Sequence, residues 1–130
     1  MHGPSIAQLL AVQDSISIAW QPFRDGIDIV RLADSADAGP AAALLRYRPG
    51  ARLPRHRHIG WEYVLILSGS QIDDGGRHVS GELLVQTPGS SHGIESPEGC
   101  VVLIIWEKPV VFEAAPSEQT IREQTIRDKA

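Results

Sequence analysis

What most constrains this chain is how often it must turn. Between Ile27 and Phe112 every apolar run is short and ends at a turn former: Pro49-Gly50, Ser68-Gly69, Asp73-Asp74-Gly75-Gly76, Pro88-Gly89, Pro97-Glu98-Gly99 or Pro109. Long helices do not survive such punctuation, because glycine and proline are the poorest residues in a helix interior. The runs themselves are rich in β-branched residues, which suit a pleated surface. Ile27 to Leu32 (IDIVRL) alternates apolar and polar residues, the period-2 signature of a half-buried strand. Ala42 to Tyr47 is a second run, and Tyr63 to Leu67 (YVLIL) is continuously apolar, closed by Ser68-Gly69. Leu83 to Gln86, Val101 to Trp106 and Val110 to Phe112 complete a set of about seven strands. Asp73 to Gly76 predicts a hairpin turn, since its glycines accept positive φ cheaply. Short strands joined by tight turns predict an all-β fold, an antiparallel sandwich or barrel.

A length of 130 residues suits one domain able to bury a core without staples. The net charge of −4 and pI near 5.7 argue against nucleic acid or an anionic membrane surface as a partner. No stretch approaches the roughly 18 apolar residues a membrane span needs. The single cysteine, Cys100, excludes an internal disulfide and fits a reducing compartment. Ile6 to Val12 is apolar but lacks the basic start and cleavage site of a secretory signal, so the expected location is cytoplasmic. Residues 1–19 are expected to form an arm, a short helix or a swapped segment, and 20–114 the domain. The tail, 115–130, repeats EQTIR at 118–122 and 123–127, a period that fits neither helix nor coiled coil.

Chemistry concentrates between Gly50 and Gly69. On a strand, residues two apart project to one face, so His56 and His58 can converge on one ion. Glu62 follows, past Gly60 where the chain can bend, and immediately precedes the most apolar run. A carboxylate there is costly unless it is paired, protonated or metal-bound. Two imidazoles and a carboxylate suit a first-row transition metal, and a third imidazole, His92, can return from the turn after Thr87. One divalent ion is expected, drawn from Fe, Mn, Ni, Zn, Co or Cu. Because histidine binds metal when neutral, occupancy is expected to fall as pH drops through about 6.5. His78, beside the hairpin turn, is expected to be solvated, and Cys100 to be a small buried hydrophobe. Arg46 or Arg48 could reach a cavity and anchor an anionic substrate, while Arg55 and Arg57 should face out. Tyr47 and Trp106 are candidate pocket residues.

The segment Gly50, His56, His58, Glu62, Gly69 matches the first cupin motif, G-x5-HxH-x3-E-x6-G, at every fixed position. In the second motif Gly81, Gly89 and His92 keep their spacing, Pro88 stands one place late, and Ser96 occupies the asparagine position. Trp20-Gln21-Pro22-Phe23, the run from Leu44 to Gly50, the turn after Asp73 and Ser96 to Cys100 resemble the ChrR-like cupins in particular. That resemblance implies a conical RmlC-like β-barrel, a jelly roll of two antiparallel sheets, often dimeric, with the metal inside. It carries the ligand role onto His56, His58, Glu62 and His92. It does not carry over the anti-sigma module, which needs a His/Cys zinc site at the N-terminus that this chain lacks. The function it implies is a small metal-dependent dioxygenase acting on an enolisable or diketone-like substrate, with Glu62 as ligand or catalytic base. The alternative is a non-catalytic sensor or binding module in a stress response. Expected partners are a small molecule and a second copy of the chain.

Overall fold

The computed structural model describes residues 19–34 and 39–113, and these form ten β-strands and no helix. They are β1 (Gln21–Arg24), β2 (Ile27–Ala33), β3 (Ala41–Tyr47), β4 (Ala51–Arg57), β5 (Glu62–Asp73), β6 (Gly76–Val79), β7 (Leu83–Gln86), β8 (Ser91–Ser96), β9 (Cys100–Trp106) and β10 (Val111–Phe112). No helix among them is long and apolar enough to cross a membrane. The N-terminal arm and the repeated EQTIR segments lie outside the described residues.

All pairings are antiparallel, in the order β1-β2-β3-β9-β5-β8-β4-β10, with β6 and β7 also paired to β5. The 12-residue β5 is shared by two sheets. Its first half pairs with β9 and β7, from Glu62↔Trp106 to Gly69↔Cys100. Its second half pairs with β6 and, at Ile72↔Glu95, with β8. The sheet therefore curls back on itself, enclosing one interior as a cupin jelly roll does.

The strand does not stop at Ser68-Gly69, as the turn-forming pair had suggested. Its register against β9 slips between Ile66 and Ser68, and Gly69 takes φ +74°. A Cβ at Gly69 would collide with the Gly99 carbonyl oxygen. The pair is thus a bulge that bends one long strand from sheet to sheet, a role only glycine can fill here. At the hairpin, Gly76 has positive φ, whereas Gly75 donates its N–H to Asp73 Oδ1 at 2.8 Å. Strands β1, β6 and β8 escape prediction because they are short or polar, and their pairing is supplied by neighbours.

Apolar side chains pack in two layers. Ile27, Ile29, Leu45, Leu53, Ile66 and Val102 fill the interior. Leu44, Leu67, Val101 and Leu103 form a second cluster on the outer face, with Trp20 and Leu65 packed against it. Strands apolar on both faces read as continuous runs, which is why YVLIL and VVLIIW do not alternate.

Candidate metal centre

Strict alternation along β4 from Leu53 would bring Arg55 and Arg57 inward. Instead the register against β8 slips between Leu53 and His56. Pro54, which has no N–H to donate, sits in that bulge. Beyond it His56 and His58 face inward and are buried, while Arg55 and Arg57 are exposed. His56 is the cross-strand partner of His92. The end of β4 is clamped to the turn before β8, with His58 N–H donating to Ser90 O at 2.8 Å and Gly89 N–H to His58 O at 2.7 Å. Glu62 opens β5 after Gly60, where a Cβ would press on Glu107.

These elements bring His56, His58, Glu62 and His92 together, with ligand atoms all within 4.8 Å of one another. The ring centroids of the three histidines lie 4.6 to 5.1 Å apart. Each ring's Nδ1 is engaged. His56 donates to Pro54 O at 2.9 Å, His58 to Ser90 O at 3.1 Å, and His92 to the Asp73 carboxylate at 3.0 Å. Carbonyl and carboxylate oxygens only accept, so Nδ1 carries the proton and Nε2 presents its lone pair. His58 Nε2 and His92 Nε2 are buried without a hydrogen-bond partner. His58 Nε2 lies 2.9 Å from Glu62 Oε2, in an alignment that makes no hydrogen bond. Burial, reinforced by the neighbouring His92 and His58, pushes the His56 pKa down to about 4 although its bond to Pro54 opposes the shift. Orphaned imidazole lone pairs converging beside a buried carboxylate fit a divalent first-row metal, so the cluster could hold such an ion.

Behind His92 stands a set of residues the sequence reading missed. Asp73 Oδ2 takes the His92 N–H, and Asp73 Oδ1 lies 2.8 Å from His78 Nε2. His78 Nδ1 in turn lies 3.1 Å from Glu82 Oε2. His78 is therefore held between two carboxylates rather than solvated. Burial opposes its protonation, but hydrogen bonds to Asp73 and Glu82 prevail and raise its pKa. Asp73's own burial would raise its pKa, yet its bonds to His78, His92 and Gly75 lower it. In the sequence Asp73 is a turn former, and nothing local marks it otherwise, because the turn-forming Ser68-Gly69 hides that β5 runs from Glu62 to Asp73.

An apolar cavity of about 300 Å³ is walled by Ile29, Leu45, Leu53, Ile104, Trp106 and Phe112, and the last two link it to the cluster. Trp106 is the cross-strand partner of Glu62, and Phe112 that of His56, with ring centroids 5.5 Å apart. Of the three candidate pocket residues, Trp106 lines this cavity. Tyr47 is buried in the interior core beside its strand partner Cys100, and burial raises the pKa of both groups. Arg46 is not in the cavity, because its parity on β3 is that of Leu44, the outward side. Its guanidinium lies 2.7 Å from Asp28 and 4.5 Å over the Trp20 ring. Arg48 joins the same carboxylate at 3.5 Å.

Residues 9–111 match the ChrR Cupin-like domain. Among solved structures, the fold is similar to the Rhodobacter sphaeroides complex of SigE with the anti-sigma ChrR, at 20% identity and TM-score 0.68. That match covers 81% of this chain but only 58% of the other. A putative acetylacetone dioxygenase from Methylibium petroleiphilum is similar at 19% identity and TM-score 0.71, covering 88% of this chain and 87% of that one. An acetylacetone dioxygenase from Acinetobacter johnsonii is similar at 18% identity and TM-score 0.68, covering 74% and 72%. Among curated proteins none matches the chain in sequence.

Proposed function

The chain belongs to the ChrR cupin-like family, and on that footing we propose that it is a small metal-dependent dioxygenase acting on an enolisable, diketone-like substrate. The observation that carries this reading is that Glu62 and His56 of the buried His56/His58/Glu62/His92 cluster are the strand partners of Trp106 and Phe112, two walls of an apolar cavity. When bound, a divalent metal supplies Lewis acidity and a template for two substrate oxygens. The cavity walls exclude water and orient an apolar body against the cluster. Glu62 is the proposed catalytic base, since its carboxylate can accept the acidic proton between two carbonyls. Two of the similar structures are named for acetylacetone oxidation, which supports testing that substrate class first.

The test is oxygen consumption by protein reconstituted anaerobically with Fe²⁺ and given a panel of β-diketones and flavonols. Uptake matched to loss of substrate is expected. No uptake with Fe, Mn, Ni, Zn, Co or Cu overturns the reading.

A second reading, a sensor or binding module acting through a partner, is favoured by one observation. Tyr63, Leu83, Val85 and Ile105 are exposed, and Tyr63 pairs with both Val85 and Ile105. Such an apolar outer face suits a homodimer. Sedimentation velocity of metal-free, metal-loaded and oxidant-treated protein tests it: a change in oligomeric state without turnover is expected, and a state that neither metal nor oxidant changes overturns the reading.

A further inference from the structure

The cavity beside the cluster contains one basic residue among its described lining, Arg31. Arg31 is solvent-exposed at the mouth of the cavity, and the register places it on the interior face of β2. Arg31 pairs with Ala43, Ala43 with Ile104 and Ile104 with Val64, and directly paired residues share a face. Ala43 and Val64 belong to the interior core, as do Ile27 and Ile29, which share Arg31's parity on β2. Of the other strand arginines, Arg46 pairs with Asp28, Arg52 with Glu95, Arg55 with Asp74 and Arg77 with Glu98, Arg57 is exposed, and Arg24 stacks 3.6 Å over the Phe112 ring without lining the cavity itself. Arg31 has no ion pair among the described residues, although Asp34 stands on the same rim. A guanidinium against an apolar wall offers a planar fork of donors matched to a carboxylate.

We propose that Arg31 reads an anionic group on the substrate, which is therefore an elongated molecule with an apolar middle and a carboxylate far from its reacting end. β2 and β5 are separated by β3 and β9, so Arg31 stands three strand spacings, roughly 14 Å across the sheet, from Val64, and Glu62 lies two residues further along β5. Their side chains and the curl of the sheet shorten that span. Ile104 and Trp106 lie along it and supply the apolar wall. The reacting end rests on the dioxygenase reading; the anion site rests on Arg31 alone.

The experiment compares 5,7-dioxooctanoate with its methyl ester, by calorimetry on metal-loaded protein. Hexanoate is compared with hexanamide on the metal-free protein. The free acids are expected to bind at least about ten-fold tighter than their neutral counterparts, as charge-assisted hydrogen bonding allows. Arg31→Gln should erase that preference while leaving ester and amide affinity unchanged, which also shows that the variant is folded. Arg31→Lys should retain part of it. Equal affinity of acid and neutral probe in the native protein, or a preference that survives Arg31→Gln, overturns the proposal. If no diketone consumes oxygen but hexanoate selectivity depends on Arg31, the anion site stands and the dioxygenase reading falls. If acid and ester are oxidised and bound alike, the reverse holds.

Discussion

At the residue scale, each imidazole of the cluster has its Nδ1 spent on a fixed acceptor, so each can offer only Nε2 to the interior. Burying such polar groups unpartnered costs on the order of 1–3 kcal/mol apiece, which a bound metal would offset. His58→Ala removes one of the four candidate ligands, and elemental analysis of the purified variant is expected to find no bound metal. Wild-type stoichiometry would refute the assignment. Asp73 meets the two rings on different oxygens, His92 on Oδ2 and His78 on Oδ1, which also accepts the Gly75 N–H. Asn offers a single acceptor oxygen, so Asp73→Asn must abandon one ring. Metal affinity, measured by chelator competition, should fall about 10- to 100-fold. An unchanged affinity would mean that Asp73 does not orient His92.

Two irregularities at the scale of the element build the site. The bulge at Pro54-Arg55 shifts the parity of β4 and turns the histidines inward. The bulge at Gly69 lets β5 serve both sheets, so that Glu62 at one end and Asp73 at the other meet the same cluster. Gly69 and Gly81 both have positive φ, but a Cβ on Gly81 meets nothing, whereas one on Gly69 meets the backbone of Gly99 and Cys100. Gly81→Ala should cost about 1 kcal/mol, lowering the melting temperature by roughly 4–8 °C. Gly69→Ala should lower it at least twice as far, because two backbones must separate. Equal shifts in thermal unfolding would show that the bulge tolerates a side chain.

For the whole molecule, two histidines pull stability in opposite directions with pH. His56 has its pKa lowered from 6.5 to about 4 by burial, so the unfolded chain takes up a proton in that window that the folded chain refuses. Its contribution is present above pH 6.5 and lost as pH falls toward 4. His78 has its pKa raised above 6.5, so its contribution is present below 6.5 and lost as pH rises through the folded value. Metal-free protein should therefore lose on the order of 1–3 kcal/mol between pH 7 and pH 5 in urea unfolding, with His78 offsetting part of it. His56→Asn should flatten that slope; a slope unchanged by the substitution would refute the attribution. The sequence placed metal loss near pH 6.5, the ordinary histidine value, and burial moves the share due to His56 downward.

Local pattern alone determined the fold class, the hairpin at Asp73 and the candidate ligands, because turn residues and i, i+2 spacing act over a few positions. The metal motif at Gly50, His56, His58, Glu62 and Gly69 was legible down to the residue. Tertiary structure alone decided what lies behind and beside it. Asp73 reaches His92 across 19 positions only because one bulged strand runs through both sheets. Arg46 lies on the outer face and the exposed Arg31 at the cavity mouth because parity counts from the strand each sits on, and a bulge or a proline between strands resets that count. IDIVRL already held Arg31 on the face of Ile27 and Ile29, but nothing local marks which face of a strand closes around a cavity.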